Sequence, residues 1–235
     1  MIFKIPRKGY TDARQIYKKG TIDIKPGITV LIGCNGSGKT TLLREIEESA
    51  HSLEIPVYFY NNLTVDVQGE AFLNQDFGLV SQIAFSSEGE CITLQLTHKV
   101  DEIAYILHNG KKKKSKLADV FSSWSDTPEE TKEITKDRIL LFDAIDSGLS
   151  IDQVRDIKEY LFKQILDVYD NEHLYIIVSA NEYELCRGYS CFNVTESKYV
   201  TINSYDDYTN EILRTRMYKE QQIDKLIEKE KKRGK

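Results

Sequence analysis

The order of apolar and polar residues in the first part of the chain predicts a strand, a tight loop and a helix. Residues 27–32 form a short, apolar, β-branched run, as expected of a buried strand. Beyond a glycine-containing stretch, Leu42, Leu43 and Ile46 recur at helical spacing on one face. The pattern therefore predicts a strand that passes through a loop into an amphipathic helix at about 40–50.

Similar patterns recur along the rest of the chain, where strands alternate with helices. The predicted strands are two or three short ones within 1–32, followed by 57–60, 138–143, 174–179 and 199–202. The further predicted helices are at about 87–109, at about 151–168 and from about 207 onward. This alternation predicts an α/β fold, with a mostly parallel sheet flanked by helices and a small antiparallel β part at the N-terminus.

Composition and charge narrow the class of protein. Apolar content of 40% and charged content of 29% are ordinary for a soluble globular protein. A net charge of −5 excludes a uniformly basic nucleic-acid-binding chain. We expect one domain over residues 1–206 and a highly charged C-terminal helix or tail over 207–235.

Cysteine usage and hydropathy bear on the cellular location. The four cysteines form no C-x-x-C pair, which favours reduced thiols over a metal site or disulfides. The N-terminus has no apolar signal region, and no run of about 18 apolar residues occurs. We therefore expect a cytoplasmic protein with no membrane span.

The loop between the first predicted strand and helix carries the most specific signal in the chain. Residues 33–40 are GCNGSGKT and fit the phosphate-binding pattern G-x-x-x-x-G-K-[ST]. Glycines let backbone N–H groups turn toward a phosphate, and the following helix adds its positive dipole end. We expect Lys39 to reach the β- and γ-phosphates of ATP, Thr40 to bind Mg²⁺, and Thr41 to contact the α-phosphate. The residues predicted to bind nucleotide are Asn35, Gly36, Ser37, Gly38, Lys39, Thr40 and Thr41.

A second candidate lies at the end of the strand predicted at 138–143. Four apolar residues there are followed by Asp143. In nucleotide-binding proteins with a phosphate loop, such an aspartate holds Mg²⁺, usually through water. We therefore predict a metal site made of Thr40 and Asp143.

Four segments in this order resemble the ATP-binding-cassette (ABC) ATPases. They are GITVLIGCNGSGKTTLL at 27–43, FSSEGE at 85–90, ILLFDAIDSGLS at 139–150 and YIIVSANEYEL at 175–185. The resemblance covers roughly residues 20–185 and is nearest to the soluble SMC-like and RecF-like branch rather than to transporters. It implies a P-loop NTPase fold and two like subunits that form a homodimer when Mg-ATP binds.

The family's signature motif contacts the nucleotide of the opposing subunit. Here Ser87-Glu88-Gly89-Glu90 is similar to it, so the resemblance implies that Ser87 and Gly89 bind nucleotide in trans. The same four residues also fit a capping box, with Ser87 as N-cap and Glu90 three residues on. Both roles are compatible.

Three positions depart from the family pattern, and one of them is Ser150, where the family's loop after the Asp-bearing strand usually ends in aspartate. The general-base glutamate that follows the Mg²⁺ aspartate is Ala144 here, and Asn181 stands in place of the switch histidine. Alanine cannot deprotonate water, and asparagine cannot carry a proton. Three explanations stay open: a natural slow ATPase or nucleotide switch, rescue by another carboxylate (Asp146, or else Glu182), and an engineered glutamate-to-alanine replacement.

The sequence thus favours an ATP-binding protein that dimerises on Mg-ATP and hydrolyses it slowly. The alternatives are a catalytically inactive nucleotide-binding switch and a DNA-associated repair or defence ATPase, whose local support is the run Lys111–Lys114. Asn62 and Gln68 are candidates for the family's glutamine loop. Tyr10 or Tyr17 is a candidate for stacking on adenine, with ordinary packing as the alternative.

Overall fold

The architecture comes from a computed structural model, which describes residues 1–6, 15–62, 73, 76–107, 136–169 and 172–233. In chain order its strands are β1 (Ile2–Lys4), β2 (Thr21–Asp23), β3 (Gly27–Ile32), β4 (Val57–Asn61), β5 (Arg138–Asp143), β6 (Leu174–Ser179), β7 (Ser190–Asn193) and β8 (Lys198–Val200). Its helices are α1 (Lys39–Ser52), α2 (Phe77–Phe85), α3 (Glu88–Leu107), α4 (Ile151–Asp156), α5 (Gln164–Val168), α6 (Tyr183–Cys186) and α7 (Tyr205–Arg233), and the π-helical stretch Ile157–Lys163 joins α4 to α5.

Six strands form one sheet in the order β4-β5-β6-β3-β7-β8. The neighbours from β4 to β7 pair in parallel, and β8 pairs with β7 in the antiparallel direction. β1 and β2 form a separate, two-stranded antiparallel sheet. The structure therefore confirms an α/β architecture with a mostly parallel sheet, flanking helices and a small antiparallel part near the N-terminus.

The central strands of the sheet are buried on both faces. β5 and β6 are buried along their whole length, as expected of parallel strands covered by helices on each side. On one face, Leu31 packs in the same cluster as Leu42 of α1. On the other face, Val30 and Phe142 pack in the same cluster as Ile103 of α3. Each such buried side chain contributes about 1.5–3 kcal/mol, so the strands that carry the site rest on a rigid core.

Most predicted elements are found close to their predicted bounds. The helix predicted at 40–50 runs over Lys39–Ser52, and the helix predicted at 87–109 is α3, which ends at Leu107. The helix predicted at 151–168 is found as α4, the π-helical stretch and α5. β7 and α2 have no counterpart in the sequence prediction, and β7, at four residues, is too short for a clear alternation.

Some sequence predictions concern residues outside the described ranges, namely Tyr10, Gln68 and Lys111–Lys114. The division of the chain at residue 206 also stays a prediction, although a helix begins close to it, at Tyr205. Among the described residues, no helix combines the length and the apolar composition needed to cross a bilayer.

Lys18, which lies between β1 and β2 in the chain, is hydrogen-bonded to the turn between β7 and β8. The backbone N–H of Lys18 donates to the carbonyl oxygen of Thr195 at 2.9 Å. The Lys18 ammonium donates to the carboxylate of Glu196 at 2.9 Å, and Lys198 pairs with the same carboxylate. The hydrogen bond from Lys198, followed by that from Lys18, lowers the pKa of Glu196 to about 2. These bonds help fix the neighbouring Ile16 and Tyr17 beside the sheet, where both pack in the same cluster as Phe192.

We expect Glu196→Gln to lower the free energy of unfolding at neutral pH by about 0.5–1 kcal/mol, because solvent screens such pairs. The pKa of Glu196 is depressed to about 2 in the folded state, below the value of about 4.3 for an unfolded chain. The stabilisation is therefore complete above the unfolded value and is lost as the pH falls through about 2. Denaturant unfolding of both proteins between about pH 7 and pH 3 measures it.

The control for this prediction is Glu228→Gln, which changes an exposed glutamate of α7 and is expected to leave stability unchanged. A difference between wild type and Glu196→Gln that stays constant down to about pH 3 would contradict the role assigned to the two lysine contacts.

Candidate functional site

The carboxyl ends of β3, β5 and β6 lie side by side at one edge of the sheet. Residues 33–40, called the glycine loop below, follow β3, while Asp143 ends β5 and Ser179 ends β6. A cleft of about 1270 Å³ opens at this edge, larger than the roughly 300–1,000 Å³ of most small-molecule sites. Ligands of α/β folds bind at this end of the strands. Among the predicted site residues, the cleft is lined by Asn35, Gly36, Gly38, Lys39, Thr40, Thr41, Asp143, Asp146 and Asn181.

The conformation of the glycine loop depends on a close approach at Gly38. This residue has a φ of +99°, and a Cβ at its position would lie 2.4 Å from Cγ2 of Ile16. The Tyr17 hydroxyl donates to the Gly38 carbonyl oxygen at 2.8 Å. Within the loop, the N–H of Ser37 donates to the carbonyl oxygen of Cys34 at 3.0 Å. Only glycine satisfies both the positive φ and the packing at position 38.

The N-terminus of α1 is open toward the cleft. The N-cap of this 14-residue helix is Gly38, and in the described part of the chain no side-chain cap hydrogen bond is found there. The first N–H groups of a helix have no acceptor within the helix. Lys39, Thr40 and Thr41 line the cleft at this point. Such a helix end attracts anions through its N–H groups and its dipole. Ser37 does not line the cleft, and its buried hydroxyl has no hydrogen-bond partner among the described residues.

Lys39 is the buried cation of the cleft. Its side chain is largely covered, and its ammonium donates to the carbonyl oxygen of Gly33 at 2.7 Å. Burial lowers the pKa of Lys39, and the carboxylates of Asp146 and Asp143 act in the opposite direction. The bond to Gly33 uses one of the three ammonium donors. The group is therefore placed to donate to an anion at the helix end.

Asp143 is held in a fixed orientation by two neighbours. The Ser179 hydroxyl donates to its Oδ1 at 2.7 Å, and the Asn61 amide donates to its Oδ2 at 3.2 Å. Each carboxylate oxygen has a second lone pair that these bonds leave available. The described residues contain no group of three or more His, Cys, Asp or Glu side chains that could hold a metal ion. A carboxylate and the Thr40 hydroxyl fit Mg²⁺, which binds few protein ligands beside phosphates and water.

Asp146 positions the segment that follows β6. Its Oδ2 accepts from the N–H of Asn181 at 2.7 Å and from the N–H of Glu182 at 2.8 Å. Its Oδ1 accepts from the Asn181 side-chain amide at 3.3 Å. Burial raises the pKa of Asp146, while the two backbone hydrogen bonds oppose this. These bonds give Asp146 a positioning role, and its role as a substitute base stays a prediction.

Ala144 occupies the position directly after Asp143. Its side chain is nearly buried at the wall of the cleft, and its N–H donates to the Ser179 hydroxyl at 2.8 Å. Its φ of +53° lies in the left-handed region that favours glycine. The backbone is thus strained at the position where the resemblance places a general base.

The signature-like residues form the N-terminal cap of α3. The Ser87 N–H and hydroxyl both donate to Oε2 of Glu90, at 2.7 and 2.8 Å, and the Glu90 N–H donates to the Ser87 hydroxyl at 3.4 Å. Gly89 is buried inside its own chain, where a Cβ would lie 2.1 Å from Oε1 of Gln153. Neither Ser87 nor Gly89 lines the cleft. The capping box is found, and binding in trans stays a prediction.

Two sequence candidates for nucleotide contacts have other partners. Tyr17 has no exposed surface and donates to Gly38, so ordinary packing is correct and stacking on adenine is wrong for the described conformation. The Asn62 side-chain amide donates to the carbonyl oxygen of Ser147 at 2.9 Å. Its part in a glutamine loop stays a prediction.

The C-terminal helix α7 packs against the site. The sequence pattern did not predict this packing. The N–H of Cys34 donates to the Thr215 hydroxyl at 2.8 Å. The Lys219 ammonium donates to the carbonyl oxygen of Asn35 at 2.9 Å. The Tyr208 hydroxyl donates to the carbonyl oxygen of Asn181 at 2.7 Å. The helix therefore contacts both the glycine loop and the segment after β6.

A helical spacing marks these contacts in the sequence. Tyr208, Thr215 and Lys219 are seven and four residues apart, which places them on one face. Leu213 and Met217 of the same helix are 49% and 60% exposed. The contacts with the site come from the polar residues of α7.

No protein-family model matches the chain, and no similar protein was found among curated proteins. The interpretation of the site therefore rests on its own geometry and chemistry.

Proposed function

We propose that this chain is an ATPase of the ABC type that binds ATP with Mg²⁺ in the cleft. The supporting observation is the juxtaposition of the uncapped N-terminus of α1, the Lys39 ammonium and the Asp143 carboxylate around one cleft. Backbone donors, a buried cation and a carboxylate together fit a phosphate chain accompanied by a divalent metal ion. The order of the four family-like segments supports the same proposal.

Different residues of the cleft would bind the phosphates and the Mg²⁺ ion. The N–H groups at the start of α1 would hold phosphate oxygens, and Lys39 would neutralise part of their charge. The Thr40 hydroxyl and the Asp143 carboxylate would hold Mg²⁺, with Asn61 and Ser179 fixing the carboxylate. Bound Mg²⁺ would supply further charge neutralisation to the terminal phosphates.

Slow turnover follows from the residues beside Asp143. Ala144 carries no group that can orient or deprotonate water. A positioned base contributes roughly 10²–10⁴ to a rate, so its lack leaves hydrolysis weak while the phosphate-binding groups remain. Asp146 and Glu182, the two alternative carboxylates of the sequence prediction, both line the same cleft.

A second candidate function is a nucleotide-gated binding module with little or no turnover. The hydrogen bonds of Asp146 favour it, because both carboxylate oxygens accept from Asn181 or Glu182. A carboxylate engaged in this way holds the segment after β6 in place, which is a structural role. In this candidate, ATP controls the conformation of the protein or a homodimer of it.

ATP-dependent homodimerisation is part of the proposal through the family resemblance. Ser87 is exposed at the start of α3, where a partner subunit can reach it. Contacts made only in the presence of the γ-phosphate would couple dimerisation to ATP binding.

The experiment that tests the proposal compares wild type with Lys39→Ala. Calorimetric titration measures Mg-ATP binding, and phosphate release measures turnover. We expect wild type to bind ATP and Lys39→Ala to lose this binding, because the buried cation of the cleft is gone. Wild-type phosphate release above that of Lys39→Ala supports the ATPase, and equal rates with ATP still bound support the gated module. A wild type that binds no ATP contradicts the proposal.

The control variant for this experiment is Lys225→Ala. Lys225 is an exposed lysine of α7 that does not line the cleft. We expect this variant to bind and turn over ATP as wild type does, so an equal loss in both variants would point to a nonspecific charge effect.

A further inference from the structure

One face of α7 forms a wall of the cleft. The residues of this helix that line it are Tyr208, Ile212, Arg216, Lys219, Glu220 and Ile223. Thr215, on the same helix, is 1% exposed and accepts the N–H of Cys34, so the helix is fixed against the loop. A side chain that projects from this face toward the loop is therefore held near whatever the loop binds.

Lys219 lies directly over the backbone of the glycine loop. Its ammonium donates to the carbonyl oxygen of Asn35 at 2.9 Å. The same nitrogen would lie 2.9 Å from a Cβ on Gly36. Lys39 makes the corresponding bond to the carbonyl oxygen of Gly33. Two ammonium groups from different elements thus contact the loop on which the phosphates are proposed to bind.

The ionic partners of the cations on α7 differ. Arg216 pairs with the carboxylate of Glu220 at 3.0 Å. Within the described residues, Lys219 has no carboxylate within ion-pair distance, and its recorded acceptor is a neutral carbonyl oxygen. An ammonium bound to one neutral acceptor has two further donors for an anion. Lys219 is therefore suited to an anionic ligand of the cleft.

We propose that Lys219 binds the terminal phosphates of the nucleotide and that α7 thereby adds a second cation to the phosphate site from the same chain. This inference rests on the proposed function and deepens it. Lys39 holds the phosphate chain from α1, and Lys219 holds it from the C-terminal helix. Binding of phosphate moves the Lys219 ammonium from the Asn35 carbonyl to a phosphate oxygen, since a hydrogen bond between charged partners is the stronger one.

The test compares Lys219→Met with Lys225→Met, a matched change at an exposed position of α7 that does not line the cleft. Calorimetric titration measures affinity for Mg-ATP, and competition with inorganic tripolyphosphate isolates the phosphate chain. We expect Lys219→Met to weaken both ligands about tenfold, the effect of one charge-assisted hydrogen bond. Lys225→Met is expected to match wild type.

Two further measurements separate ligand binding from a structural role. Lys219→Gln keeps a donor for the Asn35 carbonyl and removes the charge, so it is expected to fold as wild type and to bind ATP about as weakly as Lys219→Met. Acetylation by acetic anhydride, followed by mass spectrometry, is expected to show that saturating ATP protects Lys219 several-fold and leaves Lys225 unchanged. Wild-type affinity in Lys219→Gln, or equal acetylation of Lys219 with and without ATP, overturns the inference.

The outcomes also distinguish this inference from the proposed function. A wild type that binds neither ATP nor tripolyphosphate overturns both. Loss of binding in Lys39→Ala together with wild-type affinity in Lys219→Met and Lys219→Gln overturns only the role of Lys219.

Discussion

Ala144→Glu is expected to raise the rate of phosphate release from Mg-ATP by at least about 100-fold, the lower range for a positioned general base. Ala144 follows Asp143 and lines the cleft, so a carboxylate at this position is expected to enter the space next to the proposed metal ligand. The backbone there has a φ of +53°, a strain that alanine and glutamate share. The substitution therefore adds a base without adding backbone strain.

Two variants control for the other effects of this change. Ala144→Gln has the same shape as the glutamate and no basic group, so its rate is expected to stay near that of wild type. Ala144→Gly relieves the positive φ and is expected to raise the free energy of unfolding by up to about 1 kcal/mol without raising the rate. Equal rates for the glutamate and glutamine variants would show that the missing base does not limit turnover.

Gly38→Ala is expected to lower the free energy of unfolding by about 3 kcal/mol and to abolish ATP binding. A Cβ at Gly38 would lie 2.4 Å from Cγ2 of Ile16 and 3.0 Å from the Tyr17 hydroxyl. The φ of +99° adds backbone strain for any residue other than glycine. Relief of the contact moves the loop away from the N-terminus of α1, which removes the geometry that binds phosphate. Denaturant unfolding and calorimetric titration measure the two effects.

Gly27→Ala is the matched control for this prediction. Gly27 has a φ of +84°, close to that of Gly38, but a Cβ there would have no atom within 4 Å. We expect a cost of about 1 kcal/mol, from the backbone alone, with ATP binding kept. If both alanine variants lower the free energy of unfolding by the same amount, the close approach of Ile16 to the glycine loop does not contribute to the cost at Gly38.

The sequence predicted the parts of the site that depend on local pattern. The strand before the glycine loop, the loop and the first turn of α1 are contiguous, so apolar spacing and glycine positions suffice to place Lys39 and Thr40. The strand that ends at Asp143 is equally local. These residues line one cleft, as expected from two parallel strands that end at the same edge.

Residues that meet through tertiary packing could not be predicted in this way. Asn61 follows the strand predicted at 57–60 and was not predicted to belong to the site, yet the parallel register of β4 and β5 places it opposite Asp143. The pairing register depends on which strands are neighbours in the sheet. The local sequence pattern does not determine the order of the strands. The burial of Gly89 against Gln153 has the same cause, since α3 and α4 are distant in the chain.

The docking of α7 was missed for a related reason. Its composition is that of a charged surface helix, and a polar residue such as Thr215 carries no mark of burial in the sequence. In the structure this residue is buried against the glycine loop and accepts a backbone hydrogen bond from it. Tertiary contacts of this kind override what composition predicts.

The length of α7 gives the contact with the glycine loop a mechanical consequence. Beyond Lys219 the helix continues to Arg233, a distance of about 21 Å at 1.5 Å per residue. A tilt of about 10° around Lys219 would displace the far end by about 4 Å. With this lever arm, a small rotation of the helix beside the loop would become a movement of its far end larger than the length of a hydrogen bond.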